Sequence, residues 1–122
     1  MFEIKVTKTF RASHALRNYK GSTEDPHEHL WRCEATVSSE TLDEAGCAAD
    51  FVEVGKLLSE AISPITRKEI HETPLFTNVS PSAENVARYL YDSLAKNLND
   101  ERKRVSRITV WEDENHCASY FV

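Results

Sequence analysis

Cysteine is scarce in this chain and widely scattered. Cys33, Cys47 and Cys117 are its three thiols. An odd count with no C-x-x-C pair points away from a disulfide framework and toward a reducing, cytoplasmic setting. Long hydrophobic runs are also missing. No apolar stretch approaches the roughly 20 residues a membrane span needs, and no segment reads as a signal peptide. Concentrated positive charge is lacking too: 15 Lys and Arg stand against 20 Asp and Glu, a net charge of −5, with the two signs interspersed. A general nucleic-acid binder needs clustered Lys and Arg to neutralise phosphates. The one basic run, Arg102-Lys103-Arg104, reads as the solvated approach to a strand. Repeats and low-complexity linkers are absent, so residues 1–122 are expected to form a single domain. A domain of that size buries a core without covalent staples.

What is present is periodicity. Over residues 2–14, Phe2, Ile4, Val6, Phe10, Ala12 and His14 share one parity, and charged or hydroxylated residues hold most of the other. That alternation predicts a half-buried strand. Residues 17–26 are polar and turn-rich, a loop. A second strand follows over 27–39, with His27, His29, Trp31, Cys33, Ala35 and Val37 on its matching face. Phe51, Val54, Leu57, Leu58, Ala61 and Ile62 have helical spacing behind a capping Asp50, with Pro64 near the stop. Residues 65–81 are irregular. A stronger helical stripe, Ala83 to Leu98, opens at Ser80-Pro81 or Ser82. Strands are expected at 105–112 and 117–122. The order β-β-α-α-β-β gives an α+β domain: a four-stranded antiparallel sheet with two helices on one face. Its unpaired edges predict oligomerisation by sheets joining side by side.

The histidines carry the chemistry. Side chains two apart on a strand point the same way, so His27 and His29 project together. His14 ends the apolar face of the neighbouring strand. Three imidazoles leave one position of a tetrahedral zinc ion open, the arrangement of catalytic rather than structural zinc.

The succession Phe-x-Ala-Ser-His14, His27-x-His29, Ala-Asp-Phe, Pro-Ser-Ala-Glu-Asn and a strand ending in Glu112 resembles the 6-pyruvoyl-tetrahydropterin synthase / 6-carboxy-tetrahydropterin synthase (QueD-like) family. The resemblance implies a tunnelling fold, in which three subunits close a twelve-stranded barrel and two rings form a hexamer, a dimer of trimers. It implies Zn2+ held by His14, His27 and His29, with an active site at a subunit interface. It also implies a pterin substrate such as 7,8-dihydroneopterin triphosphate, with Glu112 gripping the guanidine-like edge of the ring. A carboxylate suits that role because it accepts two parallel hydrogen bonds from adjacent N–H donors.

Three positions depart from the family pattern. Glu28 stands where the family has glycine between the paired histidines; it is expected to face away from the metal. Thr23 occupies the place of the family cysteine. Cys33 is a poor substitute, since it lies about 13 Å along the strand from His29 at roughly 3.3 Å per residue. Glu24 is the candidate base instead, as in relatives that cleave the dihydroneopterin side chain and release 6-hydroxymethyl-dihydropterin. The family's Asp-His pair falls at Ile70-His71, which leaves His71 a candidate proton carrier without its aspartate, with Glu69 or Glu72 as replacements. His116 has no place in the pattern. The expected activity is a zinc-dependent carbon–carbon or carbon–oxygen lyase of pterin, folate or queuosine-precursor biosynthesis. The alternatives are the side-chain-cleaving reaction and a catalytically diverged pterin- or purine-binding module.

Overall fold

The computed structural model describes residues 1–122. Its elements are β1 (Phe2–His14), β2 (His27–Ser39), α1 (Phe51–Ile62), α2 (Ala83–Leu98), β3 (Lys103–Trp111) and β4 (Cys117–Phe121). Two single 3₁₀ turns, Ile70–Glu72 and Pro74–Phe76, lie between the helices. The strands form one antiparallel sheet in the order β1-β2-β3-β4. Both helices cover the same face, α1 over β1 and α2 over β3 and β4. No helix is long and apolar enough to cross a membrane.

Shared parity in β1 and β2 fixes their register. Phe10 pairs with Trp31, Ala12 with His29 and His14 with His27. A slip by one residue would turn the whole apolar set outward. The core between sheet and helices holds Trp31, Val37, Leu58, Leu90, Leu94 and Ile108, all at 0% exposure. Burying each such side chain contributes about 1.5–3 kcal/mol. The helix starts follow the expected caps. Asp50 accepts the Val52 N–H at 2.9 Å, and Ser82, not Ser80, accepts the Asn85 N–H at 3.1 Å, each satisfying an orphan donor of a first turn.

Four details differ from the sequence expectation. β3 begins at Lys103, ahead of the expected 105, because Lys103 and Arg104 pair with Ser39 and Ser38 of β2, and its register shifts opposite Thr36/Val37. Val105 and Ile108 are then both buried despite opposite parity, a break that simple alternation cannot follow. β3 also stops at Trp111, so Glu112 sits just beyond the strand, its N–H donating to the His116 carbonyl at 3.1 Å. Phe2 and Phe51, expected inside, are 46% and 62% exposed; Phe2 lies at the end of β1 remote from the histidines. Finally, the free edge of β1 is partly covered. The Arg67 N–H donates to the Arg11 carbonyl, and the Ser13 N–H to the Lys68 carbonyl. Residues 67–69 therefore flank the histidine end of β1 and leave its first part open.

Candidate active site

The register of β1 and β2 brings three imidazoles together at one end of the sheet. The ligating atoms of His14, His27 and His29 lie within 4.8 Å of one another. His14 Nε2 faces His27 Nε2 at 2.9 Å. Each of these two rings spends its other nitrogen on a carbonyl. His14 Nδ1 donates to Pro81 O at 2.7 Å, and His27 Nδ1 donates to Asp25 O at 3.2 Å. With the proton on Nδ1, both facing Nε2 atoms carry lone pairs. His29 Nε2 is buried and has no hydrogen-bond partner. Facing lone pairs on His14 and His27, beside a partnerless His29 nitrogen, make a donor set that suits a cation between them. A tetrahedral zinc with nitrogen ligands at about 2.0–2.1 Å fits this donor set, as do the carbonyls bonded to the second ring nitrogens.

The floor of the cluster is Trp31, whose ring stands edge-on 4.8 Å from His14 and 5.7 Å from His29, centroid to centroid. Its indole N–H donates to Ala12 O at 3.1 Å. Burial holds His14 below the usual imidazole value. His27 and His29 push the same way, against the Pro81 carbonyl and the Glu112 carboxylate. The neutral form that a metal requires is therefore favoured.

The other candidate residues are placed as follows. Glu112 Oε2 lies 3.8 Å from His14 Nε2, so the carboxylate faces the imidazoles. Glu24 is pinned to the end of β1 by a reciprocal pair: its N–H donates to Leu16 O, and its Oε1 accepts the Leu16 N–H, both at 3.0 Å. That carboxylate stands 3.8 Å from His27 Nδ1. Thr23 is exposed. Glu28 turns to the opposite face, 3.7 Å from Arg11. Cys33 is fully buried, its thiol against the Lys8 carbonyl, and burial pushes its pKa up to about 12. His71 is not part of the imidazole cluster. It groups with Glu69 and Glu72, ligating atoms within 4.8 Å, and its Nδ1 is buried without a partner. Ile70 is fully buried in the core, so that position packs rather than orients His71.

Sequence reasoning missed Arg17. Its guanidinium donates to the carbonyls of Phe76 at 2.5 Å, Val79 at 3.0 Å and His71. Its N–H donates to Ser80 Oγ at 3.0 Å. This one side chain ties the segment bearing His71 and Pro81 to the chain just after His14. Arginine in a polar loop gives no signal of such a role, because its acceptors are backbone carbonyls some 60 residues away.

The sequence profile of the 6-pyruvoyl tetrahydropterin synthase family matches residues 3–121. The chain is 29% identical over 126 residues to the 6-pyruvoyl tetrahydrobiopterin synthase of Homo sapiens, covering 92% of this chain and 86% of that one. It is 26% identical over 157 residues to the 6-carboxy-5,6,7,8-tetrahydropterin synthase of Aquifex aeolicus, covering 98% and 97%. The fold superposes on the 6-pyruvoyl tetrahydropterin synthase of Caenorhabditis elegans with TM-score 0.86 at 18% identity, covering 99% and 95%. It also superposes on a Plasmodium vivax 6-pyruvoyltetrahydropterin synthase in which a glutamate described as catalytic is changed to alanine (TM-score 0.75, 14% identity, covering 98% and 96%).

Proposed function

This chain belongs to the 6-pyruvoyl tetrahydropterin synthase family, and from that premise we propose that it is a zinc-dependent lyase acting on 7,8-dihydroneopterin triphosphate or a closely related pterin, of the 6-carboxy- or 6-pyruvoyl-tetrahydropterin synthase type. The observation that carries the reading is the convergence of His14, His27 and His29, two of them with their second nitrogen committed to a carbonyl and the third buried without a partner. Zinc held by these three residues would supply Lewis acidity at a substrate side-chain oxygen.

The remaining work falls to the chain's own groups. Glu112 accepts the paired N–H donors of the pterin's amino edge and so fixes the ring. Glu24, held by the Leu16 backbone beside His27, takes and returns a proton. A positioned base of this kind contributes about 10² to 10⁴ in rate. His71 is the second proton carrier, with Glu69 and Glu72 in place of the aspartate. The assembly is a hexamer of two barrel rings, in which the open part of the β1 edge joins β4 of a neighbour. Because His71 lies on the β1-edge side, it would then be presented at a subunit boundary.

The placement of Glu24 favours a second reading: cleavage of the dihydroneopterin side chain to 6-hydroxymethyl-dihydropterin. The Plasmodium vivax relative likewise has a glutamate described as catalytic. The deciding experiment offers metal-replete protein 7,8-dihydroneopterin triphosphate and dihydroneopterin, and identifies the products by mass. Glu24→Ala and His71→Ala are each expected to lower turnover at least a hundredfold while keeping the metal. Unchanged turnover in both variants removes those two roles. No product from either substrate leaves a pterin- or purine-binding module.

A further inference from the structure

The β3–β4 hairpin carries an aspartate–histidine pair that the reaction above does not use. His116 Nδ1 donates to both oxygens of Asp113, at 2.8 and 3.0 Å. Asp113 Oδ1 also accepts the Asn115 N–H at 2.8 Å. The turn holds the carboxylate, and the carboxylate holds the imidazole. With Nδ1 carrying the proton, Nε2 of the neutral ring is a bare acceptor. The side chain is 72% exposed, so this nitrogen is open to a ligand.

His116 lines a cavity of about 200 Å³ together with Leu16, Ser82, Glu84 and Glu112. Glu112 is also the carboxylate 3.8 Å from His14, so this cavity adjoins the imidazole cluster. Its polar lining includes three acceptors, the carboxylates of Glu84 and Glu112 and the imidazole of His116, beside the Ser82 hydroxyl. Such a lining suits a ligand edge rich in N–H groups, because carboxylates accept strong hydrogen bonds from N–H donors.

We propose that His116, oriented by Asp113, is a specificity-determining residue of the pterin site, its Nε2 accepting the amino N–H that Glu112 leaves over. This rests on the pterin reading above. A 2-amino-4-oxo edge offers three N–H donors, one on the ring and two on the amino group. A carboxylate takes the ring N–H and one amino N–H side by side; the second amino N–H points away and requires another acceptor. No covalent bond changes, and the proton on Nδ1 stays where it is. Asp113 is a positioning residue. Without its carboxylate the ring is free to carry its proton on Nε2, which sets a donor against a donor.

The test compares two flat probes: pterin, with the amino group, and lumazine, with a carbonyl in its place. Binding is read by fluorescence titration of the full-length, metal-replete protein. Wild type is expected to prefer pterin. His116→Leu should weaken pterin binding about tenfold and leave lumazine binding unchanged, which narrows the preference by the same factor to what Glu112 alone provides. His116→Gln, which keeps a side-chain acceptor, should recover part of it. Asp113→Asn should resemble His116→Leu, and the double variant should be no worse than either, because both act through one contact. A wild-type preference that survives intact in His116→Leu and Asp113→Asn, each with an unchanged melting temperature, overturns the inference and leaves the pterin reading standing. Wild-type protein that binds neither probe overturns both.

Discussion

Replacing Arg17 with methionine tests whether one side chain holds the second wall of the site. Methionine keeps much of the apolar stem and removes every donor of the guanidinium. Three carbonyls then lose a partner: those of His71, Phe76 and Val79. At a net value of about 1 kcal/mol for each intramolecular hydrogen bond, and with the group only partly buried, the loss should be about 2–3 kcal/mol. Lysine has one nitrogen where the guanidinium uses two and cannot keep all three bonds, so Arg17→Lys should lie between wild type and Arg17→Met. Urea denaturation of the metal-free proteins measures this directly. A second effect is expected at the proposed zinc site. The clamped segment runs into Pro81, whose carbonyl accepts from His14 Nδ1. Loosening such an outer partner of a ligand typically costs 10–100-fold in metal affinity, so zinc affinity, read against a competing chelator dye, should fall at least tenfold. A stability change below about 0.5 kcal/mol, the level of ordinary surface substitutions, with zinc affinity unaltered, would refute the reasoning.

Three further outcomes are expected. Stripping the metal with a chelator should lower the melting temperature; restoring zinc to about a hundred times its dissociation constant should return about 2.7 kcal/mol, whereas His14→Ala should neither retain zinc nor respond to it in elemental analysis and calorimetry. Trp31→Ala, at a position with no exposure, should cost about 3–5 kcal/mol in urea unfolding; because Trp31 is also the floor beneath His14 and His29, its loss should weaken zinc binding as well. Cys33, buried and with its thiol pushed up to about 12, should resist iodoacetamide at pH 8 until denaturant is added, while exposed Cys47 is alkylated in the native protein; peptide mass mapping distinguishes the two.

Much of the site was legible because strands encode it locally. The period-2 pattern that put Phe10, Ala12 and His14 on one face of β1, and His27, His29 and Trp31 on the matching face of β2, also fits the antiparallel register that joins them. The helices were equally readable, from Asp50 and Ser82 at their starts and apolar stripes behind. The first half of β3 was less so, because a register shift opposite Thr36/Val37 breaks alternation, and a bulge leaves no compositional mark.

Residues 65–81 are irregular, as expected, but their contacts with the site were not legible. Arg17 and Pro81 act through backbone carbonyls, which every residue possesses, so neither side-chain type nor spacing announces them. The same holds for His116, unremarkable until the hairpin sets Asp113 behind it and Glu112 beside it. The chain by itself determined which side chains share a face, since that depends only on the handed geometry of the backbone between near neighbours. Folding alone decided which carbonyl each imidazole meets, whether Ile70 packs or orients, and which carboxylates face the histidines. Those are contacts across long sequence separations, set by how the sheet, the helices and the intervening turns fill space together.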